Sequence, residues 1–251
     1  MKKLFVTAAL SFALITSSAA MAAEEAVSPP EQQWSFQGIF GTFDRSELQR
    51  GMQVYLEVCA SCHGLKYVRF RNLEALGYNE DQVKAIASGF EVEDGPNAEG
   101  DMFFRPALPA DAFPSPFPND EAARAANGGA VPPDLSLQAK RNPYGPDYIA
   151  ALLSGYESDE PTDGGLYHNE YFAGGLIAMA PPLGDDYVTY TDGTEATLEQ
   201  HSQDVAAFLM WAAEPKLEDR KSMGIKVLLF LLILTGLFYV SKRKIWAKIH
   251  H

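Results

Sequence analysis

Cys59-Ala60-Ser61-Cys62-His63 decides how this 251-residue chain is read. C-x-x-C-H is the pattern of covalent c-type haem attachment. Two thiols three residues apart at a helix end reach two vinyl groups on one porphyrin edge. The adjacent imidazole then swings beneath the ring, where a neutral nitrogen is a good iron ligand. A thioredoxin-like redox pair would sit beside a βαβ pattern, which the sequence lacks, and a zinc site would need a second ligand pair. With both cysteines bonded to haem, no thiol remains for a disulfide, so haem and core must hold the domain together.

Upstream of the motif, Asp44-Arg45-Ser46-Glu47-Leu48-Gln49 predicts a helix start with a capping box at Ser46 and Gln49. Leu48, Met52, Tyr55 and Cys59 then recur at helical spacing, so the last turn delivers Cys59. Further helices are predicted from Asn79 to Ser88 (Asn79 and Gln82 as cap and box, Gly89 as stop), Asp120 to Ala126 (closed by Gly128) and Asp147 to Ser154 (stopped by Gly155). The last helix of the body starts at Thr197, boxed by Gln200, and ends before Pro215. Between them lie Pro106 to Pro118, with five prolines, and Pro161 to Gly165. Period-2 alternation is scarce. The expected fold is mainly α, with long Pro/Gly-rich loops wrapped around one haem, because loops of this length need an organising centre.

The sixth iron position has several candidates. Met52 and Met210 fall on helical apolar faces, where core packing accounts for them. Met179 lies in Ala178-Met179-Ala180-Pro181-Pro182-Leu183, behind Gly174-Gly175, with small neighbours that let a thioether approach iron. Met102, His168 and an open site compete with it on spacing alone. An open site would make the protein a haem enzyme, such as an exported peroxidase or reductase; a haem sensor or an assembly subunit is a third class.

The ends of the chain carry addresses. Met1 to Ala22 has the order of a secretory signal: Lys2-Lys3, an apolar run from Leu4 to Ile15, then Ala20-Met21-Ala22, with the mature chain starting at Ala23. Met223 to Val240 is apolar except for Lys226, whose stem can snorkel to headgroups. Tyr239 and Trp246 suit an interface, and Ser241-Lys242-Arg243-Lys244 places the C-terminus in the cytoplasm. The expected layout is therefore a removed signal (1–22), an exported haem domain (23–220), a single transmembrane anchor (221–246) and a cytoplasmic tail (247–251). His250 and His251 are either native or the remnant of a tag.

Charge adds a partner class. The chain has 33 acidic and 20 basic residues, a net of -13. Setting aside the two lysines before residue 23 and the six basic residues after Arg220 leaves 12 basic residues, a body net of -21. Nucleic acid is excluded as a partner, and a cationic protein is favoured. Glu91, Glu93, Asp94, Glu99 and Asp101 form the candidate docking run.

Beyond Cys59–His63, several stretches together resemble the bacterial cytochrome c1 family over almost the whole mature chain. They are Glu93-Asp94-Gly95-Pro96-Asn97, Phe104-Arg105-Pro106, Glu121-Ala122-Ala123-Arg124-Ala125-Ala126-Asn127, Pro132-Pro133-Asp134-Leu135-Ser136, Ala178–Leu183 and Phe208-Leu209-Met210-Trp211-Ala212-Ala213-Glu214-Pro215. The resemblance implies a c-type cytochrome domain with thioethers at Cys59 and Cys62, axial ligands His63 and Met179, and a haem pocket lined by Asn127, Pro133, Tyr148 and Phe172. It implies one haem c and a role as the electron-carrying subunit of a quinol:cytochrome c oxidoreductase, with no substrate-turnover site on this chain. Cytochrome b and a Rieske iron-sulfur subunit would be its neighbours in a dimeric complex, and a basic cytochrome c its acceptor. The site implied is the periplasmic face of the bacterial inner membrane. Two departures stand out. Ala139-Lys140-Arg141-Asn142 places the basic residue expected near a haem propionate, Arg141, one position out of register, and the extra cysteine pair of some relatives is missing.

Overall fold

The computed structural model describes residues 27–247. The signal read at residues 1–22, the start at Ala23 and the terminal histidines lie outside the described residues.

Helix α1 (Arg45–Glu57) runs into a tight 3-10 turn, Cys59–Ser61. The cap is Asp44 and not Ser46: its carboxylate accepts from the amides of Ser46 (2.8 Å) and Glu47 (3.3 Å). A carboxylate is favoured at the positive end of the helix dipole. Gln49, expected to close the box, instead donates from Nε2 to the Leu76 carbonyl at 2.8 Å, tying α1 to a 3-10 helix at Phe70–Leu76. Helix α2 (Glu80–Ser88) has the expected reciprocal box of Asn79 and Gln82.

A short antiparallel ribbon follows, β1 (Glu91–Asp94) with β2 (Phe103–Pro106), in the register Glu91↔Pro106 to Asp94↔Phe103. Helix α3 (Asp120–Ala126) is capped by Asn119 and closed by Asn127, one residue before the expected Gly128. Helices α4 (Gln138–Arg141) and α5 (Pro146–Ser154) come next, α5 starting on Pro146 because proline suits the first helical position. A two-residue ribbon, β3 (Tyr167–His168) with β4 (Leu176–Ile177), precedes α6 (Leu198–Ala213), whose cap Thr197 accepts from the Gln200 amide.

The core lies where α1, α5 and α6 meet. Leu48, Met52 and Tyr55 of α1 and Ile149 and Leu153 of α5 belong to one core with Val205, Phe208, Leu209 and Trp211 of α6, the helix that packs against both. Each such side chain contributes about 1.5–3 kcal/mol on burial. The two longest partners approach closely because α1 presents Gly51: a Cβ there would fall 2.0 Å from the Asp204 carbonyl oxygen. Phe70, Phe90 and Phe113 extend the core under the loops, with Phe113 edge-on to Tyr55.

After only Glu214-Pro215-Lys216 the chain enters α7 (Leu217–Trp246), 30 residues and therefore about 45 Å long. It is the one helix among the described residues long and apolar enough to cross a membrane, and none of its apolar window is buried. The helix starts four residues before the expected boundary at 221, and its first turns belong to the body. Leu217 is buried, Glu218 accepts from the Phe43 amide and pairs with Arg45, and Lys221 donates to the carbonyls of Phe36 and Gly41.

Candidate haem site

The attachment motif sits on a rigid support. Cys59 opens the 3-10 turn and Cys62 caps its end, so one tight turn joins the two thiol-bearing residues. The amides of Cys62 and His63 both donate to the Cys59 carbonyl, at 3.1 and 2.8 Å. The Tyr55 hydroxyl donates to the His63 carbonyl at 3.1 Å, and Ser61 Oγ donates to that of Val58.

The chemistry of these donors fits a covalent haem. The cysteines are not bonded to each other. Burial, with the neighbouring Cys62, pushes the Cys59 thiol up to about 12. A thiolate for redox exchange or zinc is therefore disfavoured, whereas a thioether to a vinyl carbon carries no charge and loses nothing by burial. Burial also lowers the His63 pKa, and this outweighs the opposing Pro133 carbonyl and Asp134. His63 Nδ1 lies 2.7 Å from the Pro133 carbonyl oxygen. A carbonyl only accepts, so Nδ1 carries the proton and the Nε2 lone pair is free for a metal.

Asp134 holds the Pro133 loop against the motif. Its carboxylate accepts from the amides of Lys66 and Ser136, both at 3.0 Å, and Ser136 Oγ accepts from the Tyr67 amide. Pro133 and Arg141 line one open cleft with Lys66, Tyr67 and Asp134. Arg141 is exposed, at the end of α4. Asn127, Tyr148 and Phe172 are half-buried elsewhere: Asn127 spends its amide on the Ala123 carbonyl, Tyr148 lies on α5 with its phenol raised by burial, and Phe172 sits in the turn before Gly174. Among the described residues no hydrogen bond joins these three to His63 or Met179.

The candidates for the sixth position separate. Met52 is buried between α1 and its neighbours, Met210 packs against the core, and Met102 is exposed at the β1–β2 ribbon. His168 is exposed in β3. His201 is fully buried with its two nitrogens facing the carbonyls of Gly184 (3.2 Å) and Val188 (2.9 Å). Met179 is half-buried against the core, and its carbonyl accepts from the Tyr156 hydroxyl at 3.0 Å. The segment from Met179 to Val188 is thus gripped at one end by Tyr156 and at the other by His201. The supporting roles of Tyr55, Asp134, Tyr156 and His201 were not read from sequence. Asp134 offered a signal, an Asp two residues before Ser136 in a turn-forming stretch; the other three act through contacts distant in the chain.

The Cytochrome C1 family profile matches residues 34–249. The chain belongs to the cytochrome c1 family. It is similar to cytochrome c1 of Rhodospirillum rubrum, 51% identical over 100% of this chain and 98% of that protein. It is 52% identical to cytochrome b/c1 of Bradyrhizobium diazoefficiens over 92% of this chain and 37% of that longer protein. It is 46% identical to the cytochrome b-c1 complex catalytic subunit, mitochondrial, of Candida albicans, over 93% of this chain and 81% of that protein. Cytochrome c1 proteins carry a covalently bound c-type haem, and the two cysteines here are spaced to hold it. The expected mainly α fold with one C-terminal apolar helix is the fold observed, and α7 gives the cytochrome c1 chain a single-pass membrane anchor.

Proposed function

We propose that this cytochrome c1 is the electron-transfer subunit of a quinol:cytochrome c oxidoreductase, with Cys59 and Cys62 as the thioether positions and His63 and Met179 as the axial pair. The observation that carries the reading is the His63 imidazole, held neutral with Nδ1 on Pro133 and Nε2 free, next to two cysteines at the end of α1. Bound haem supplies a one-electron Fe(III)/Fe(II) couple, and His/Met ligation raises its potential. The chain's own residues position and shield that couple. The Pro133 loop orients His63, Tyr156 and His201 fix the Met179 segment, and Arg141 with Lys66 offers cations to the propionates at the cleft.

Names of relatives that join cytochrome b with c1 support an assembly with cytochrome b. Electrons would arrive from a Rieske iron-sulfur subunit and leave to a basic cytochrome c, in a dimeric complex. For the acceptor, the β1–β2 ribbon is the favoured surface. Asp94 is paired there with Arg105, which Asp111 shares, whereas Glu91, Glu93, Glu99 and Asp101 are exposed and form no ion pair among the described residues. Exposed Met102, Phe103 and Phe104 lie among them, an apolar centre with an acidic rim. The basic cluster Lys242-Arg243-Lys244 in the last turns of α7 supports a cytoplasmic C-terminus, which puts the haem domain in the periplasm after removal of residues 1–22.

The test is the haem spectrum of the purified chain with and without carbon monoxide, beside Met179→Leu. Wild-type iron should ignore the gas, while the variant should bind it and show a lowered potential. Ready binding by the wild type would mean an open iron and a ligand-processing role.

A further inference from the structure

The turn between Trp34 and Asp44 exposes two large apolar side chains beside the foot of α7. Ile39 is 67% exposed and Phe40 84%, whereas Phe36 and Phe43 on either side are buried with ring centroids 4.9 Å apart. The turn is tightly built. The Gln37 amide donates to the Trp34 carbonyl at 3.0 Å, Gly38 takes φ +69°, and at Gly41 a Cβ would fall 1.9 Å from the Gln37 carbonyl oxygen. A rigid turn that holds isoleucine and phenylalanine outward presents them to a partner.

Lys221 sets the height of this turn. Its Nζ donates to the carbonyls of Phe36 (2.6 Å) and Gly41 (2.9 Å), so both ends of the turn are bound to α7. Met223 is exposed two residues further on, about 3 Å along the axis, and from Val227 the helix surface is exposed and apolar. Ile39 and Phe40 therefore lie on a turn whose two ends are held by the residue of α7 just before its exposed apolar stretch. Exposed Lys216 and Lys226 flank Lys221 in the chain, and their ammonium groups match lipid phosphates.

We propose that Ile39 and Phe40 enter the membrane–water interface, giving this chain a second, non-helical contact with lipid. An aromatic ring at the headgroup level is favoured, and continuity with the α7 surface makes lipid the occupant. Two contacts at one end of the body restrict its tilt about the helix. The proposal rests on α7 being the membrane span.

The test uses the full haem-loaded chain in bilayer discs of phosphatidylcholine and phosphatidylglycerol. Nitroxide labels are placed at Ile39→Cys or Phe40→Cys, with Glu121→Cys on α3 as an aqueous reference and Leu232→Cys on α7 as a lipid reference. Both native cysteines are consumed by haem attachment, so each label reports one site, and an unchanged haem spectrum certifies the fold. Labels at 39 and 40 should collide with oxygen in preference to a water-soluble nickel chelate several-fold more than the label at 121. Equal nickel accessibility at 39, 40 and 121, with 232 in lipid, overturns the proposal. Labels wet in discs but shielded in the assembled complex overturn it in favour of a protein partner. A wet label at 232 would instead refute the span.

Discussion

The Nδ1 nitrogen of His63 and the carbonyl oxygen of Pro133 lie 2.7 Å apart, although 70 residues separate them in the chain. The contact fixes the imidazole tautomer and makes the free nitrogen more basic, which favours the oxidised metal. Asp134 maintains it by holding the loop to the Lys66 amide.

Asp134→Ala should therefore raise the haem midpoint potential, by roughly tens of millivolts for a hydrogen bond weakened by about 1 kcal/mol. Loss of the nearby negative charge acts in the same direction. Asp134→Asn removes the charge but keeps an acceptor, so it should fall between. A redox titration that finds an unchanged or lower potential in Asp134→Ala would count against this role.

Gly51→Ala tests the closest approach of α1 and α6. Alanine is better than glycine in a helix by about 1 kcal/mol, but its Cβ would meet a backbone oxygen at 2.0 Å. Overpacking of this kind outweighs propensity, and a net loss of about 2 kcal/mol is expected. Denaturant unfolding of the full chain, followed by the Soret circular dichroism, should show a lower midpoint; an unchanged one would mean the helices part freely.

Glu47 supplies a pH dependence. Burial first, then Asp204 and Asp44, raises its pKa to about 7 from 4.5. The folded state therefore binds the proton more tightly than the unfolded chain, so stability falls as pH rises from about 4.5 to 7 and stays low above. Because the group is partly solvated, Glu47→Gln should recover only about 1–2 kcal/mol at pH 8, and little at pH 4. Equal effects at both pH values would sink this account.

The ribbon carboxylates should act on association and not on folding. Glu93→Gln with Asp101→Asn should slow binding of a basic cytochrome c, and the wild-type rate should fall as salt shortens the Debye length below about 10 Å. Asp94→Asn should differ, because it weakens the bridge from Arg105 on β2 to β1 while Arg105 stays paired with Asp111. Stopped-flow rates insensitive to salt would place docking elsewhere.

Local signals in the sequence found the local features. Helices α1, α2, α3, α5 and α6 were legible because caps and apolar spacing act within one or two turns. The ribbons were not, since β3 and β4 have two residues each, too few for alternation to register. Cys59, Cys62 and His63 were legible as one motif, but their supports were not. Tyr55 was visible only as an apolar position, and Tyr156 and His201 grip the Met179 segment across 23 and 13 to 17 residues. No spacing rule connects them.

Only three residues separate α6 from α7, and the first turns of α7 are bound to Phe36, Gly41, Phe43 and Arg45. Head and stalk consequently form one stiff lever with no hinge between them. With α7 as the anchor, these contacts set the height of His63 above the bilayer. Whatever gives or takes an electron has to meet the haem at that height.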